Sequence, residues 1–177
     1  MADLSDILTR LDRLESEAEI RRLVATYFRI CDDLGPHTDL AALGAVFAKD
    51  AKWQGKGRYK GAFGGFEGRD AIVKMIGSYC APEAHFKMTG HFFSAEDIAV
   101  NGETATGKWM MLQCSTYKDD TSDLRSAALD MEFLRTAGKW EISLFKTTNI
   151  FSRTVDRWSD SEAINVPAKA KDGAVDD

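Results

Sequence analysis

Residues 91–109 read HFFSAEDIAVNGETATGKW. This stretch predicts a β-hairpin, because Asn101-Gly102 is the dipeptide that most favours a tight turn between antiparallel strands. His91 opens the first strand, where alternation places it on the same face as Phe93. Histidine exchanges a proton near neutral pH and can act as a general base. A histidine on an apolar sheet face is more often structural, however, so its role depends on whether an acid faces it.

The hairpin belongs to a C-terminal half rich in β-branched and aromatic residues, whereas the N-terminal half has the apolar periodicity of helices. Helices followed by a run of antiparallel strands predict an α+β domain with the helices on one face of the sheet. A strand at 51–59 and a glycine-rich loop at 60–68 interrupt the helical half. The predicted helices are 3–33, 38–47 and 70–79, and the further predicted strands are 88–100, 103–117, 125–136 and 139–151.

The size and composition indicate one domain, because 177 residues with 44% hydrophobic residues can form a full core. We expect this domain over 1–155 and a partly disordered C-terminal extension over 156–177, where residues are small and polar. The net charge of −5, without basic clusters, argues against nucleic-acid and membrane partners. Because no signal peptide is visible and the three scattered cysteines favour reduced thiols, we expect a cytoplasmic protein.

The end of the first predicted helix offers the acid that His91 would need. Phe28 and Asp32 are four residues apart, so Asp32 continues an apolar row of the helix. Asp32 therefore either ends the helix at the solvent or projects into a pocket under the sheet, whereas Asp33 is best explained as a surface carboxylate. Tyr27 shares the apolar stripe, where a core aromatic residue with a bonded hydroxyl is the simplest interpretation.

Residue spacing gives no support for a metal ion or a cofactor. His85 and His91 are six residues apart, a spacing that does not suit metal ligands on a strand, and no carboxylate lies at a convenient position between them. The glycines of 55–68 lack the strand–loop–helix setting of a phosphate site, and no nicotinamide or flavin motif is present. We therefore expect chemistry that needs neither metal nor cofactor.

Five short motifs occur in the order that they have in one known family. They are EIRRLVATY (19–27) with Asp32-Asp33 after it, LAALGAVFAKDAKW (40–53), GRDAI (68–72), the hairpin 91–109 and GKWEI (138–142). Over about residues 5–150 the chain resembles the SnoaL-like branch of the NTF2-like superfamily, with Glu103 where that family usually has Asp.

The resemblance implies a cone-shaped NTF2-like (cystatin-like) fold, in which a curved antiparallel sheet wraps around the N-terminal helices and encloses a mostly apolar pocket. Enzymes of this branch include scytalone dehydratase, bile-acid 7α-dehydratase and hexachlorocyclohexane dehydrochlorinase. They use an Asp–His pair in the cone, often with a tyrosine and a basic residue. The catalytic positions fall on Asp32, His91, Tyr27 and, on the last strand, Lys146, with Arg135 or Arg153 as substitutes.

The resemblance further implies a cofactor-independent lyase of the dehydratase or elimination type, acting on a hydrophobic cyclic or aromatic small molecule. The alternatives are a ketosteroid-isomerase-like isomerase, a polyketide cyclase, a non-catalytic small-molecule-binding protein and a dioxygenase small-subunit-like protein. Members of the fold commonly associate, so a homo-oligomer (dimer or trimer) is expected. The expected substrate-binding residues, each of which could instead belong to the core, are Phe47, Trp53, Phe93, Trp109 and Met111.

Overall fold

A computed structural model describes residues 3–156, with four helices and two strands in the N-terminal half and four long strands after them. The helices are α1 (Leu4–Asp32), α2 (Leu40–Ala45), α3 (Arg58–Ala62) and α4 (Arg69–Gly77). The strands are β1 (Phe47–Lys56), β2 (Gly65–Glu67), β3 (Phe86–Asn101), β4 (Thr104–Tyr117), β5 (Ser122–Thr136) and β6 (Lys139–Val155). This succession confirms the predicted α+β class. The extension predicted for 156–177 lies, after Asp156, outside the described residues.

The strands form one sheet in the order β2-β1-β6-β5-β4-β3. The β1–β6 pair is parallel, and the other neighbouring pairs are antiparallel. The sheet therefore contains a meander, β3 to β6, to which the earlier strands are added at the β6 edge. Register shifts within β1, β3, β5 and β6 mark bulges, which bend a sheet and increase its twist.

The prediction of a loop over 60–68 is wrong, because α3 and β2 occupy most of it. Tyr59 of α3 is buried, and Phe66 of β2 pairs with Trp53 of β1. A Cβ atom on Gly55 would lie 2.6 Å from the carbonyl oxygen of Tyr59, so glycine is needed there to let α3 lie directly on β1. The packing of aromatic side chains between the glycines outweighs the preference of this composition for a loop.

The predicted hairpin forms between β3 and β4, with Asn101 paired with Thr104 and Gly102 at a φ of 58° in the turn. A bulge interrupts β3 between Ser94 and Asp97. The extra residue shifts the alternation of inward and outward side chains by one position. The side chains that face α1 therefore follow one alternation before the bulge and the opposite one after it.

Helix α1 packs on the inner face of the sheet through its C-terminal half. Its side chains are exposed up to Glu15, and burial begins at Ser16 and continues through Ile20 and Val24. The helix ends at Asp32, close to β3. In the part of the chain that the structure describes, no helix combines the length and the apolar character needed to cross a membrane.

Candidate functional site

A pocket of about 510 Å³ lies between the C-terminal end of α1, the helices α3 and α4, and the inner face of the sheet. Its volume is within the range of small-molecule sites, and its lining is mainly aromatic and aliphatic, as in such sites. The lining residues with polar side chains are Tyr27, Trp53, Tyr59, Tyr79, His85, His91, Gln113, Tyr117, Arg125 and Thr147.

Asp32 and His91 meet at the wall of this pocket. Asp32 is the last residue of α1, and His91 lies on β3. The Nδ1 atom of His91 is 2.5 Å from Oδ1 of Asp32, and the backbone N–H of His91 donates to Oδ2 at 3.4 Å. His91 lines the pocket, whereas Asp32 does not line it and contacts the imidazole through Nδ1. The fold therefore places Asp32 against His91 of β3 but outside the pocket lining, with its side chain 32% exposed.

The carboxylate of Asp32 sets the tautomer of His91. An ionised carboxylate only accepts hydrogen bonds, so Nδ1 carries the proton and Nε2 keeps its lone pair. The imidazole side chain is only 11% exposed, and its ring packs on Phe28 with 5.0 Å between centroids. His91 is thus arranged to take up a proton at Nε2.

Tyr27 and Cys31 line the pocket on the same helix end. Burial raises the pKa of Tyr27 well above its ordinary value, so the phenol remains protonated at neutral pH. Burial raises the pKa of the Cys31 thiol to about 12, and the charge of Asp32 acts in the same direction. Cys31, Cys80 and Cys114 are all free thiols. The Tyr27 hydroxyl is therefore a hydrogen-bond donor rather than a phenolate.

Two of the five predicted substrate-binding residues line the pocket, namely Trp53 and Met111. The prediction is wrong for Phe47, Phe93 and Trp109, which are absent from the lining. Phe93 packs on Phe28, with 4.2 Å between the ring centroids and 53° between the ring planes, and of these two residues only Phe28 lines the cavity.

The other two residues are core positions. Phe47 is fully buried at the start of β1, where it packs on Tyr27 at 5.5 Å between centroids. Trp109 is buried against Phe133, and its indole N–H donates to Glu96 at 3.3 Å. Both contribute to the packing of α1 and the sheet beyond the pocket.

The predicted basic residue, Lys146, is on the other face of the sheet. Its ammonium group lies 3.0 Å from Asp130 of β5, while its neighbour Phe145 lines the pocket. Strict alternation from the buried Ile142 would turn Lys146 inward. The pairing of β5 with β6 skips Ser143, however, and this bulge reverses the direction of the residues after it.

The two substitutes for Lys146 are not in the pocket lining either. Arg135 forms ion pairs with Asp12 and Glu103, each at 2.8 Å, beside the N-terminal half of α1. Arg153 is exposed near the end of β6. All three predicted cations are therefore wrong for the pocket.

The cation that does line the pocket is Arg125 of β5, which the sequence analysis missed. Its Nε donates to Oδ2 of Asp123 at 2.7 Å, and its Nη2 donates to the hydroxyl of Tyr117 at 2.6 Å. The sequence does contain a signal for it. Alternate residues from Ala127 to Phe133 are buried on β5, and Asp123 and Arg125 continue this inward face with opposite charges.

A second Asp–His pair lies on the surface, one residue away from the first. Nε2 of His37 is 3.2 Å from Oδ2 of Asp33, and the two side chains are 67% and 81% exposed. Neither residue lines the pocket. Among residues 3–156, no three His, Cys, Asp or Glu side chains are grouped closely enough to hold a metal ion.

Comparisons with known proteins agree with this architecture. Residues 12–146, more than half of the chain, match the family model of the SnoaL-like domain. A hexachlorocyclohexane dehydrochlorinase (LinA) type 2 is similar in structure with a TM-score of 0.71 at 19% identity, covering 87% of this chain and 99% of that chain. The LinA-type3 enzyme of Novosphingobium barchaimii has a TM-score of 0.68 at 19% identity, covering 90% and 99%.

A third solved structure, an NTF2-like protein with a cystatin-like fold from Novosphingobium aromaticivorans, has a TM-score of 0.66 at 26% identity. The match covers 85% of this chain and 92% of that chain. The predicted NTF2-like (cystatin-like) fold is therefore confirmed. A comparison with curated proteins found no match by sequence.

Proposed function

This chain belongs to the SnoaL-like domain family, and on that premise we propose that it is a cofactor-free lyase that eliminates a small leaving group from a hydrophobic cyclic or aromatic molecule. The contact between Asp32 and His91 at the pocket wall carries the proposal. One of the structurally similar proteins is named for an elimination, as a dehydrochlorinase. A pocket that only bound a ligand would not need a carboxylate to orient a basic imidazole.

In the proposed reaction, Nε2 of His91 takes a proton from a ring carbon of the substrate. The electron pair of the broken C–H bond forms a double bond to the adjacent carbon, and the leaving group departs with the electron pair of its own bond. The hydrogen bond to Asp32 stabilises the imidazolium that forms. His91 then returns the proton to solvent or to the leaving group. General-base help of this kind contributes about 10²- to 10⁴-fold in rate.

One hydrogen-bond donor on the pocket wall suits the leaving group. Burial keeps Tyr27 protonated by raising its pKa, and an interaction with the Trp53 side chain opposes that rise only in part. A departing halide or hydroxide gains negative charge, so it would accept a hydrogen bond from the Tyr27 hydroxyl.

The test uses the purified protein and two sets of ring compounds. One set carries chloride on the carbon next to a C–H group, and the other carries a hydroxyl on the carbon next to an acidic C–H group. Chloride release and loss of water are followed by ion analysis and mass spectrometry. We expect turnover by the unmodified protein and a loss of about 10²- to 10⁴-fold in His91→Ala. His37→Ala, a matched histidine substitution at an exposed aspartate pair, should retain full activity.

Equal turnover in His91→Ala and the unmodified protein would place the base elsewhere and reject the proposal. A product of unchanged mass would replace the lyase by an isomerase that uses the same base.

A further inference from the structure

A second polar group, formed by Arg125, Asp123 and Tyr117, lies at the pocket wall, and we name these residues the Arg125 cluster. Besides the contact through Nε, Nη2 of Arg125 lies 2.5 Å from Oδ2 of Asp123. The hydroxyl of Tyr117 accepts from the same Nη2 and donates to Oδ2 of Asp123 at 2.8 Å. Each member of the cluster contacts the other two, so the guanidinium is held in one orientation.

Strand pairing relates this cluster to His91. His91 of β3 pairs with Gln113 of β4, and Gln113 pairs with Arg125 of β5. Because neighbouring strands are about 4.8 Å apart, the backbones of His91 and Arg125 are separated by about 10 Å along one row. All three side chains line the pocket. A ring compound in the pocket can therefore face the imidazole with one edge and the guanidinium with another.

The free hydrogen-bonding capacity of the Arg125 guanidinium consists of donors. Oδ1 of Asp123 is a buried acceptor without a partner among the described residues, but Asp123 does not line the pocket. A guanidinium carries five N–H groups and no acceptor. Asp123 and Tyr117 use those of Nε and Nη2, whereas Nη1 has no hydrogen-bond partner within residues 3–156. The hydroxyl hydrogen of Tyr117 is already donated to Asp123. The group that fits against Arg125 is thus a hydrogen-bond acceptor, such as an oxygen atom.

The charge balance favours a neutral acceptor over an anion. Burial is the largest single influence on the pKa of Arg125 and acts to lower it, but the hydrogen bond to Asp123 and the electrostatic contributions of Asp123, Tyr117 and Tyr59 together raise that pKa above the ordinary value. Burial raises the pKa of Tyr117 to about 12, so this residue adds no charge at neutral pH. The cluster is therefore neutral as a whole. A carboxylate ligand would be repelled by Asp123 and Asp32, whereas a ketone oxygen would not.

We propose that Arg125 binds the carbonyl oxygen of a cyclic ketone and thereby orients its ring between the Arg125 cluster and His91. The reaction at the His91 end of the ring rests on the lyase function proposed above, whereas binding of the oxygen atom at Arg125 does not depend on turnover. Arg125 acts here as a specificity-determining residue. Asp123 and Tyr117 are positioning residues, because they fix the guanidinium and leave Nη1 for the ligand.

The test measures binding of three probes of one shape by isothermal titration calorimetry: indane, its ketone indanone, and indane carboxylate. A hydrogen bond from a charged donor strengthens binding by about tenfold or more. We expect indanone to bind at least about tenfold tighter than indane, and the carboxylate to bind no tighter than indane.

The variant Arg125→Gln/Asp123→Asn removes both charges together, so that neither is left buried and unpaired. We expect its preference for indanone over indane to fall to about one, with the affinity for indane retained. The matched control is Lys146→Gln/Asp130→Asn, which removes an ion pair between β6 and β5 on the opposite face of the sheet and should keep the full preference. If the double variant does not fold, Arg125→Lys provides the test, because lysine keeps the charge but not the planar fork, and the preference should fall.

The proposal is overturned if the preference survives the loss of Arg125, if the carboxylate is the tightest probe, or if none of the three probes binds. It is also overturned if His91→Ala removes the preference for indanone, because the oxygen would then bind at the imidazole. If the preference persists in His91→Ala while no substrate is turned over by the unmodified protein, the lyase function fails and the oxygen site stands.

Discussion

Two adjacent aspartates each contact a histidine, and the two pairs have different surroundings. Asp32 and His91 lie 2.5 Å apart with the imidazole 11% exposed at the pocket wall, whereas Asp33 and His37 lie 3.2 Å apart with side chains more than two-thirds exposed. The two pairs consist of the same chemical groups. Their surroundings differ because the last turn of α1 directs Asp32 towards the sheet and the next residue, Asp33, towards water.

The comparison shows that an Asp–His contact becomes useful through what surrounds it. At the exposed pair, water and ions compete for both groups, and such pairs contribute little. At the pocket pair, Phe28 packs on the imidazole, and His91 lines a mostly apolar cavity. Lower local polarity strengthens the hydrogen bond to Asp32 and keeps water from competing with a substrate.

Substitution of the two aspartates by asparagine gives the largest expected contrast. In Asp32→Asn the side chain no longer favours the Nδ1–H tautomer, so Nε2 loses part of its basic form, and kcat should fall by about 10²- to 10⁴-fold. In Asp33→Asn the turnover should not change. Steady-state kinetics measures the rates, and nitrogen NMR of the imidazoles reports the tautomer independently of any substrate. Equal rates in both variants would remove the distinction between the two pairs.

Truncation of Phe28 tests whether the ring that packs on His91 is also part of the core. Phe28 is 5% exposed, and Phe28→Ala should lower the free energy of unfolding by about 3–5 kcal/mol, because it leaves a cavity beside His91 and Phe93. The matched control on the same helix is Leu14→Ala. The Leu14 side chain is 56% exposed, so the free energy of unfolding should change by no more than about 0.5 kcal/mol. Urea unfolding monitored by circular dichroism measures both, and similar losses would contradict the burial of Phe28.

Local pattern placed Asp32 on an apolar helix row and His91 on a sheet face, because a helix row and a hairpin signal each involve only neighbouring residues. It left the roles of both residues open, and the resemblance to the SnoaL-like branch paired them. Local pattern failed for Lys146, since one skipped residue at Ser143 reverses which side chains of β6 face inward, and no local signal marks that bulge. Arg125 was missed for a related reason, as a charged residue in a strand is ordinarily placed on the solvent face.

The pocket lining was only partly predictable. Trp53 and Met111 border the cavity, whereas Phe47 and Trp109 are equally apolar and belong to the core. Which apolar side chain faces empty space depends on how α1, α3 and α4 close over the sheet. This is a property of the whole packing rather than of any single stretch of sequence.

The smallest expected effect concerns Cys31, which directly precedes Asp32. Substitution of Cys31 tests how far water is excluded from the Asp32–His91 pair. Burial raises the pKa of this thiol from 9.0 to about 12 in the folded protein. A raised pKa stabilises the fold while the thiol is protonated in both states, so this contribution is complete below about pH 9 and is lost progressively between pH 9 and pH 12. The difference in unfolding free energy between the unmodified protein and Cys31→Ala should therefore fall by about 1 kcal/mol from pH 8 to pH 10. Urea unfolding at the two pH values measures it, and a pH-independent difference would mean that water reaches Cys31 and the inner Asp–His pair as freely as it reaches Asp33 and His37.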